Sequence, residues 1–295
     1  MNVELRWLKS FLAVAEEMHF SRAARRLNLA QPALTAQIRQ LEETVGARLF
    51  ERSNRMGGLT AAGRALLGEA QAVVQHAETL PHIAQRAAHG EWGVLRLGVI
   101  PPAATPAVAE ALRRFAARFP DVEIQVRQSD QEKLLLRLGS GDLDLVLGRP
   151  DDEDRPPEIH TRRLFVEEQG VVLREDDPRA GNPAIVLKAL ASSPLLLLRG
   201  NPYFGQVLLE HARKHGVELR PLHTADDFPS LHWLVRAGLG VAPVSLLLGE
   251  GLPRGLVAKP LKPPPPKLAI HALWRGATPP PTAARLLQIS GRGFA

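Results

Sequence analysis

The chain contains no cysteine, which excludes a disulfide framework, a thiolate nucleophile and any zinc–sulfur site. It also lacks an apolar run long enough to span a bilayer. The first residues, MNVELRWLKSFLAVAEE, carry charges every few positions, unlike a secretory leader, so a cytoplasmic protein with no membrane partner is expected. Charge of one sign is scarce as well. The formal net charge is +6 over 295 residues, and residues 1–58 hold nine Lys/Arg against six Asp/Glu. Basicity alone is therefore weak ground for a nucleic-acid partner, and such a reading has to come from pattern. No G-x-S-x-G, P-loop or H-E-x-x-H string occurs, so no enzyme motif stands behind a catalytic role. Asp142 and Asp144 read as turn and strand-end residues rather than as an acid–base pair, and Asp151–Asp154 as a solvated loop. His211 and His215 have metal-compatible i, i+4 spacing but no third ligand, and read as exposed helix residues. Neither metal nor cofactor is expected.

What is present is a pattern in residues 20–60. Ser21 precedes a short apolar turn of helix (Ala23, Ala24, Leu27), the place of an N-cap. Asn28-Leu29-Ala30 breaks that helix, and Gln31-Pro32 opens a second, with proline tolerated in a first turn. There Leu34, Ile38, Leu41 and Val45 recur at spacings of 4, 3 and 4, which predicts one buried stripe. The other face offers Gln31, Ala33, Thr35, Ala36 and Arg39, side chains suited to base edges and phosphates. A preceding helix (Leu5, Leu8, Leu12, Ala15) would complete a three-helix core. Arg48–Arg52, a Gly57-Gly58 turn and Leu59-Thr60 suggest a β-wing beside it.

Thr60 is placed to cap a long helix running to about Gly90. Leu66, Ala70, Val73, Ala77, Leu80, Ala84 and Ala87 alternate there by 4 and 3, the seam of a helix that pairs with a second copy of itself. The competing reading is a helix packed on its own domain. Pro81 is expected to interrupt its hydrogen bonding. From residue 93 the texture changes to strand–helix alternation: VLRLGVI, a helix 106–119, VEIQVRQ, a helix 131–140 and LDLVLG, a run that predicts a parallel sheet. A second set follows: GVVLR, a strand near 195–198, a helix 202–215, LHTADD, a helix 228–237 and LVAKPL. The segment GLGVAP reads as a strand–helix turn that needs small residues. After Pro263–Pro266 come a late strand, KLAIHALW, and a terminal helix near 282–289. The prediction is two α/β lobes with a cleft between them, the late strand returning to the first lobe.

The strings FSRAARRLNLAQPALTAQIRQLEETVGARLFER and LTAAG closely resemble the LysR-type transcriptional regulators. Weaker matches at LRLGVI, GDLDLVLGR and VRAGLGVAP extend the resemblance over nearly the whole chain. It implies a winged helix-turn-helix (1–58), a dimerising linker helix (59–90) and a periplasmic-binding-protein-like α/β effector domain (91–295). Lobe I would cover 91–163 and 268–295, and lobe II 164–267. The resemblance further implies promoter DNA as partner, tetramers, a small-molecule effector between the lobes, and communication with RNA polymerase. It puts Gln31, Pro32 and Thr35 at the major groove and Arg52 in the wing, at the minor groove or backbone, with Arg39 a phosphate contact and Ser21 also counted among the DNA-binding residues. Ala36 departs from the family pattern, where a longer polar residue is common. For the effector, strand ends would supply Pro101, Pro102, Ser129, Asn201, Tyr203, Thr224 and the Val241–Pro243 turn. Ser129 matches a hydroxyl position of the family. Pro101-Pro102 offers neither hydroxyl nor backbone N–H where many relatives bind an anion, which points to a less charged ligand or to none. Arg149 reads equally as a counter-ion for an effector carboxylate and as a solvated strand-end arginine. Two further functions stand beside a regulator. One is a small-molecule-binding protein that no longer reads DNA, and the other is an α/β enzyme, which would need a nucleophile–base constellation the sequence does not offer.

Overall fold

Apolar residues recurring every three or four positions fold the start of the chain into α1 (Leu5–Glu17), α2 (Phe20–Arg26) and α3 (Gln31–Val45). In the computed structural model, residues 2–51, 58–149, 156–199 and 203–290 are described, and the chain divides into the units Met1–Arg86 and Ala87–Ala295. Backbone breaks separate the three helices: Met18 ends α1 and Gly46 ends α3 in the left-handed region, and Asn28 turns there between α2 and α3. Leu8, Phe11, Leu12, Ala23, Leu34, Ile38 and Leu41 bury their faces in one core. Phe50 closes it, its ring 5.5 Å from Phe11 and 5.8 Å from Phe20. An antiparallel bridge Phe50–Leu59 forms the base of the expected wing. Arg52 and the wing's Gly57 lie outside the described residues.

Thr60 caps α4 (Ala61–Ala88) as the sequence predicts, its hydroxyl accepting from the Gly63 N–H at 3.0 Å. Gly63 is required there, since a Cβ would lie 2.2 Å from the Leu49 carbonyl oxygen. The helix runs through Pro81 unbroken. Its seam is divided between two uses. Ala70 and neighbouring Val74 are buried in the unit's own core with Leu66 packed against it, whereas Val73 is 49% and Leu80 62% exposed.

The second unit begins with β1 (Gly93–Val99), α5 (Pro106–Arg118), β2 (Val122–Gln128), α6 (Gln131–Ser140), β3 (Leu145–Gly148) and β4 (Ile159–Glu167). The chain then crosses to β5 (Gln169–Arg174), β6 (Ile185–Val186), β7 (Pro194–Leu198), α7 (Tyr203–Lys214), β8 (Arg220–Ala225), α8 (Phe228–Arg236), β9 (Ala242–Ser245) and β10 (Leu256–Lys262). It returns as β11 (Leu268–Arg275) and α9 (Pro281–Ser290). Lobe I is the sheet β2-β1-β3-β11-β4, with β1 parallel to β2 and β3, and β11 antiparallel to β3 and β4. Lobe II is the sheet β6-β10-β5-β9, with the parallel pair β7-β8 joined to it by a bridge between Leu195 and Val241.

The structure corrects several sequence readings here. Lobe I extends to Glu167 rather than 163, because β4 pairs with β11 along its whole length. That strand is missed by periodicity because it lies at a sheet edge and carries Arg162 and Arg163, charges typical of edges. GLGVAP is a helix–strand turn leading into β9, tight because a Cβ on Gly240 would lie 2.2 Å from the Pro194 carbonyl oxygen. The lobes are joined twice, through Glu168 and through residues 263–267, and Lys267 Nζ pairs with Glu168 at 2.5 Å.

Candidate nucleic-acid interface and interlobe cavity

Burying Leu34, Ile38 and Leu41 turns the opposite side of α3 outward, so Gln31, Pro32, Ala33, Thr35, Ala36 and Arg39 are all exposed. Val45, predicted to continue the buried stripe, is exposed at the end of the helix. Ser21 is not an N-cap: it lies in the first turn of α2, whose cap position is His19. Its hydroxyl instead donates to Gln31 Oε1 at 2.8 Å, linking the two helices and leaving the amide NH₂ as the donor end of Gln31. The Thr35 hydroxyl donates to the Gln31 carbonyl at 2.9 Å, so outward it can act only as an acceptor. Arg39 Nε donates to Glu43 at 2.8 Å, an exposed i, i+4 pair that a phosphate can displace at small cost. One contributor escapes sequence reasoning. Glu42 Oε1 accepts from the Leu49 N–H at 2.7 Å and the Phe50 N–H at 3.4 Å, fastening the wing base to α3.

A cavity of about 560 Å³ opens between the lobes of the second unit. Lobe I lines it with Pro101, Thr105, Ala109, Gln128 and Asp130. Lobe II adds Leu198, Asp226, Asp227, Phe228, His232, Val244 and Leu248. Thr105 and Asp227 cap α5 and α8, accepting from Val108 N at 3.4 Å and Ser230 N at 2.7 Å. Among the expected effector residues that are described, only Pro101 lines this cavity. Pro102 is buried in the 3₁₀ turn beneath it. Ser129 lies between Gln128 and Asp130, and the alternation of extended backbone sends it to a separate surface hollow with Arg127 and Lys133. Thr224 is exposed and accepts from Arg199 at 3.3 Å, while its neighbours Asp226 and Asp227 face the cavity. Of the Val241–Pro243 turn, it is the next residue, Val244, that lines the wall. Asn201 lies outside the described residues, as does the Asp151–Asp154 loop.

Arg149 is neither an effector counter-ion nor a solvated strand end. It is 5% exposed and ion-paired with the fully buried Glu167, and its guanidinium lies 4.8 Å over the Tyr203 ring and 4.7 Å over Phe204. That fixes Tyr203 as a partner of Arg149. Burial pushes the Glu167 carboxyl above its ordinary range, against the opposing pull of Arg149 and of the nearby Ser245 hydroxyl, which does not meet hydrogen-bond geometry. Gln169, buried beside this pair at the start of β5, has neither side-chain polar atom in a hydrogen bond.

The two histidines at the end of α7, His211 within it and His215 in the turn just after it, are partnered rather than free for metal. His211 is buried with Nε2 3.1 Å from the Pro263 carbonyl, and His215 Nδ1 lies 2.9 Å from the His211 carbonyl. Among the described residues no group of three potential metal ligands occurs, and no helix is long and apolar enough to cross a membrane.

Two family models match the chain. Residues 5–64 match the bacterial regulatory helix-turn-helix protein of the lysR family, and residues 88–294 match the LysR substrate binding domain. The HTH-type transcriptional regulator YnfL of Escherichia coli K12 is 36% identical over 248 residues, covering 82% of each chain. ShiR, an HTH-type transcriptional regulator of Corynebacterium glutamicum, is 36% identical over 269 residues and 88% of each. The solved structure of full-length CbnR complexed with its target DNA superimposes with a TM-score of 0.82 at 24% identity, over 99% of this chain and 100% of that one, a likeness of fold.

Proposed function

We propose that this chain, which belongs to the LysR family of DNA-binding transcriptional regulators, changes its grip on promoter DNA when a small molecule fills the cavity between its lobes. The observation that carries the reading is the outward face of α3. Its N-terminal half presents the amide of Gln31 and the acceptor oxygen of Thr35, with Pro32, Ala33 and Ala36 keeping the approach low. An amide and a hydroxyl of this kind match donors and acceptors on base edges in the major groove. Arg39 supplies a phosphate contact and Arg52 a contact to the minor groove or backbone, and the phosphate contacts make affinity fall steeply with salt.

Two copies joined along α4 carry two such helices, spaced for successive major grooves about 34 Å apart. Pairs of dimers then cover a longer, bent site as a tetramer. An effector that favours one lobe closure over another by roughly 1–3 kcal/mol suffices to change occupancy or bend, and a changed bend alters access for RNA polymerase. In this reading the protein is cytoplasmic and carries out no catalysis. Footprinting on the DNA flanking its own gene, with and without candidate metabolites, tests the proposal. A protected stretch of about two helical turns or more that shifts with a metabolite supports it. Equal binding to random DNA under every condition would remove the regulatory reading.

A further inference from the structure

We propose that Ser21 sets the base preference of Gln31: by holding the side-chain carbonyl it leaves the amide NH₂ as a donor only, so that α3 selects guanine and discriminates against adenine where Gln31 meets the major groove. The inference deepens the reading of α3 as the base-contacting helix and rests on it. Gln31 is the first residue of α3, and Ser21 lies in the first turn of α2. The Ser21 hydroxyl donates to Gln31 Oε1 at 2.8 Å. A hydroxyl proton needs an acceptor, which the carbonyl oxygen supplies and the NH₂ does not. The amide is therefore turned with its oxygen onto α2 and its NH₂ away from Ser21. Among the described residues that NH₂ has no hydrogen-bond partner.

No neighbour on this face compensates for that orientation. The exposed side chains in the first two turns of α3 are Gln31, Pro32, Ala33, Thr35 and Ala36. Proline and alanine carry no polar side-chain group, and the Thr35 hydroxyl proton is spent on the Gln31 main-chain carbonyl at 2.9 Å. Gln31 thus brings the side-chain donors of these two turns. In the major groove guanine presents two adjacent acceptors, O6 and N7, whereas adenine presents N7 beside the amino donor at N6. A glutamine reads adenine through both ends of its amide at once, the oxygen accepting from N6 and the NH₂ donating to N7. With the oxygen turned onto Ser21, the amino group of adenine meets no acceptor, and a donor shut away from water without a partner is costly. Guanine meets two free N–H groups with two acceptors. The difference corresponds to about tenfold in affinity or more.

The test is selection by the full-length protein from duplex DNA with a randomised core of roughly 30 base pairs, about three helical turns, followed by sequencing. The position read by Gln31 is the one whose preference disappears in Gln31→Ala. The unsubstituted protein is expected to favour guanine over adenine there by about tenfold. Ser21→Ala should lose that ratio, because the freed oxygen can accept from adenine. A second measurement needs no variant: 7-deazaguanine at the selected position replaces N7 by C–H and should weaken binding about fivefold, the worth of one hydrogen bond. A base other than guanine at that position, an unchanged guanine-to-adenine ratio in Ser21→Ala, or full affinity for the 7-deazaguanine duplex would overturn the proposal and leave α3 as the base-reading helix. A selected sequence that Gln31→Ala leaves unchanged at every position would overturn both the proposal and that role of Gln31. Failure to enrich any sequence would remove the regulatory reading as well.

Discussion

Replacing Val73 and Leu80 together by aspartate should separate the protein into monomers. On α4 these two side chains are 49% and 62% exposed, although they belong to a seam that otherwise alternates without error. Full burial of a valine or leucine side chain contributes about 1.5–3 kcal/mol. Covering the exposed half of Val73 and three-fifths of Leu80 therefore contributes about 1 and 1.5 kcal/mol, and two copies bring the sum to about 5 kcal/mol. That corresponds to between three and four orders of magnitude in dimer affinity, before the cost of burying aspartates is added. Leu66 is the instructive control, since it packs against the core of its own unit. Leu66→Asp should lower the unfolding midpoint, whereas the Val73/Leu80 pair should leave it little changed at equal monomer concentration. Sedimentation velocity across a dilution series reads the mass, and circular dichroism reads the fold. A double variant that keeps the parental mass at micromolar concentration would refute pairing through this seam.

Three further expectations follow from single contacts. Thr35→Ala should reduce discrimination between operator and random DNA by about 1–3 kcal/mol if the outward oxygen, left as an acceptor, takes a base donor; equal losses on both DNAs in a mobility-shift titration would reject base reading. Glu42→Ala removes a carboxylate that accepts from two wing amides and should cost about 1.5–3 kcal/mol in urea unfolding of the full chain; an unchanged midpoint would show that the wing base holds without it. For His232, burial depresses the folded pKa, so the unfolded chain binds more protons below the ordinary imidazole value of about 6.5. Stability from the neutral ring is present above that pH and is lost as pH falls through the lower folded value. His232→Phe should therefore flatten the acid limb of unfolding midpoint against pH, and an identical limb in both proteins would argue against a desolvated ring.

How far the sequence reaches depends on whether a feature is local. The stripe Leu34, Ile38 and Leu41 obeys the helical period, so α3 and its outward face are legible from the chain alone. Thr60 as cap and the β1–α5–β2–α6–β3 order are local signals too, and they hold. Ser21 misleads because a serine one turn inside a short helix looks like one at its start, and its partner Gln31 is ten residues away. Arg149 misleads more, since the Glu167 that claims it enters from a strand the periodicity did not show. At the cavity, the end of β2 is correctly located, but alternation decides which residues face inward, and Gln128 and Asp130 do so in place of Ser129. His232 carries no signal of its own, because a lone histidine on a helix becomes informative only when its surroundings are known.

The two crossings between the lobes set what kind of signal the second unit can send. One crossing is a single residue, Glu168, and the other is a proline-rich strap at 263–267, the two tied together by Lys267. Neither has slack to lengthen, and the buried Arg149–Glu167 pair sits beside the first. The lobes are thus closer to two boards on a stiff door hinge than to two beads on a string. A ligand that altered lobe closure would act through a small turn about the line between these two crossings, a motion that preserves distance at the hinge and grows in proportion to reach. The largest displacement would then arrive at the surfaces farthest from the crossings.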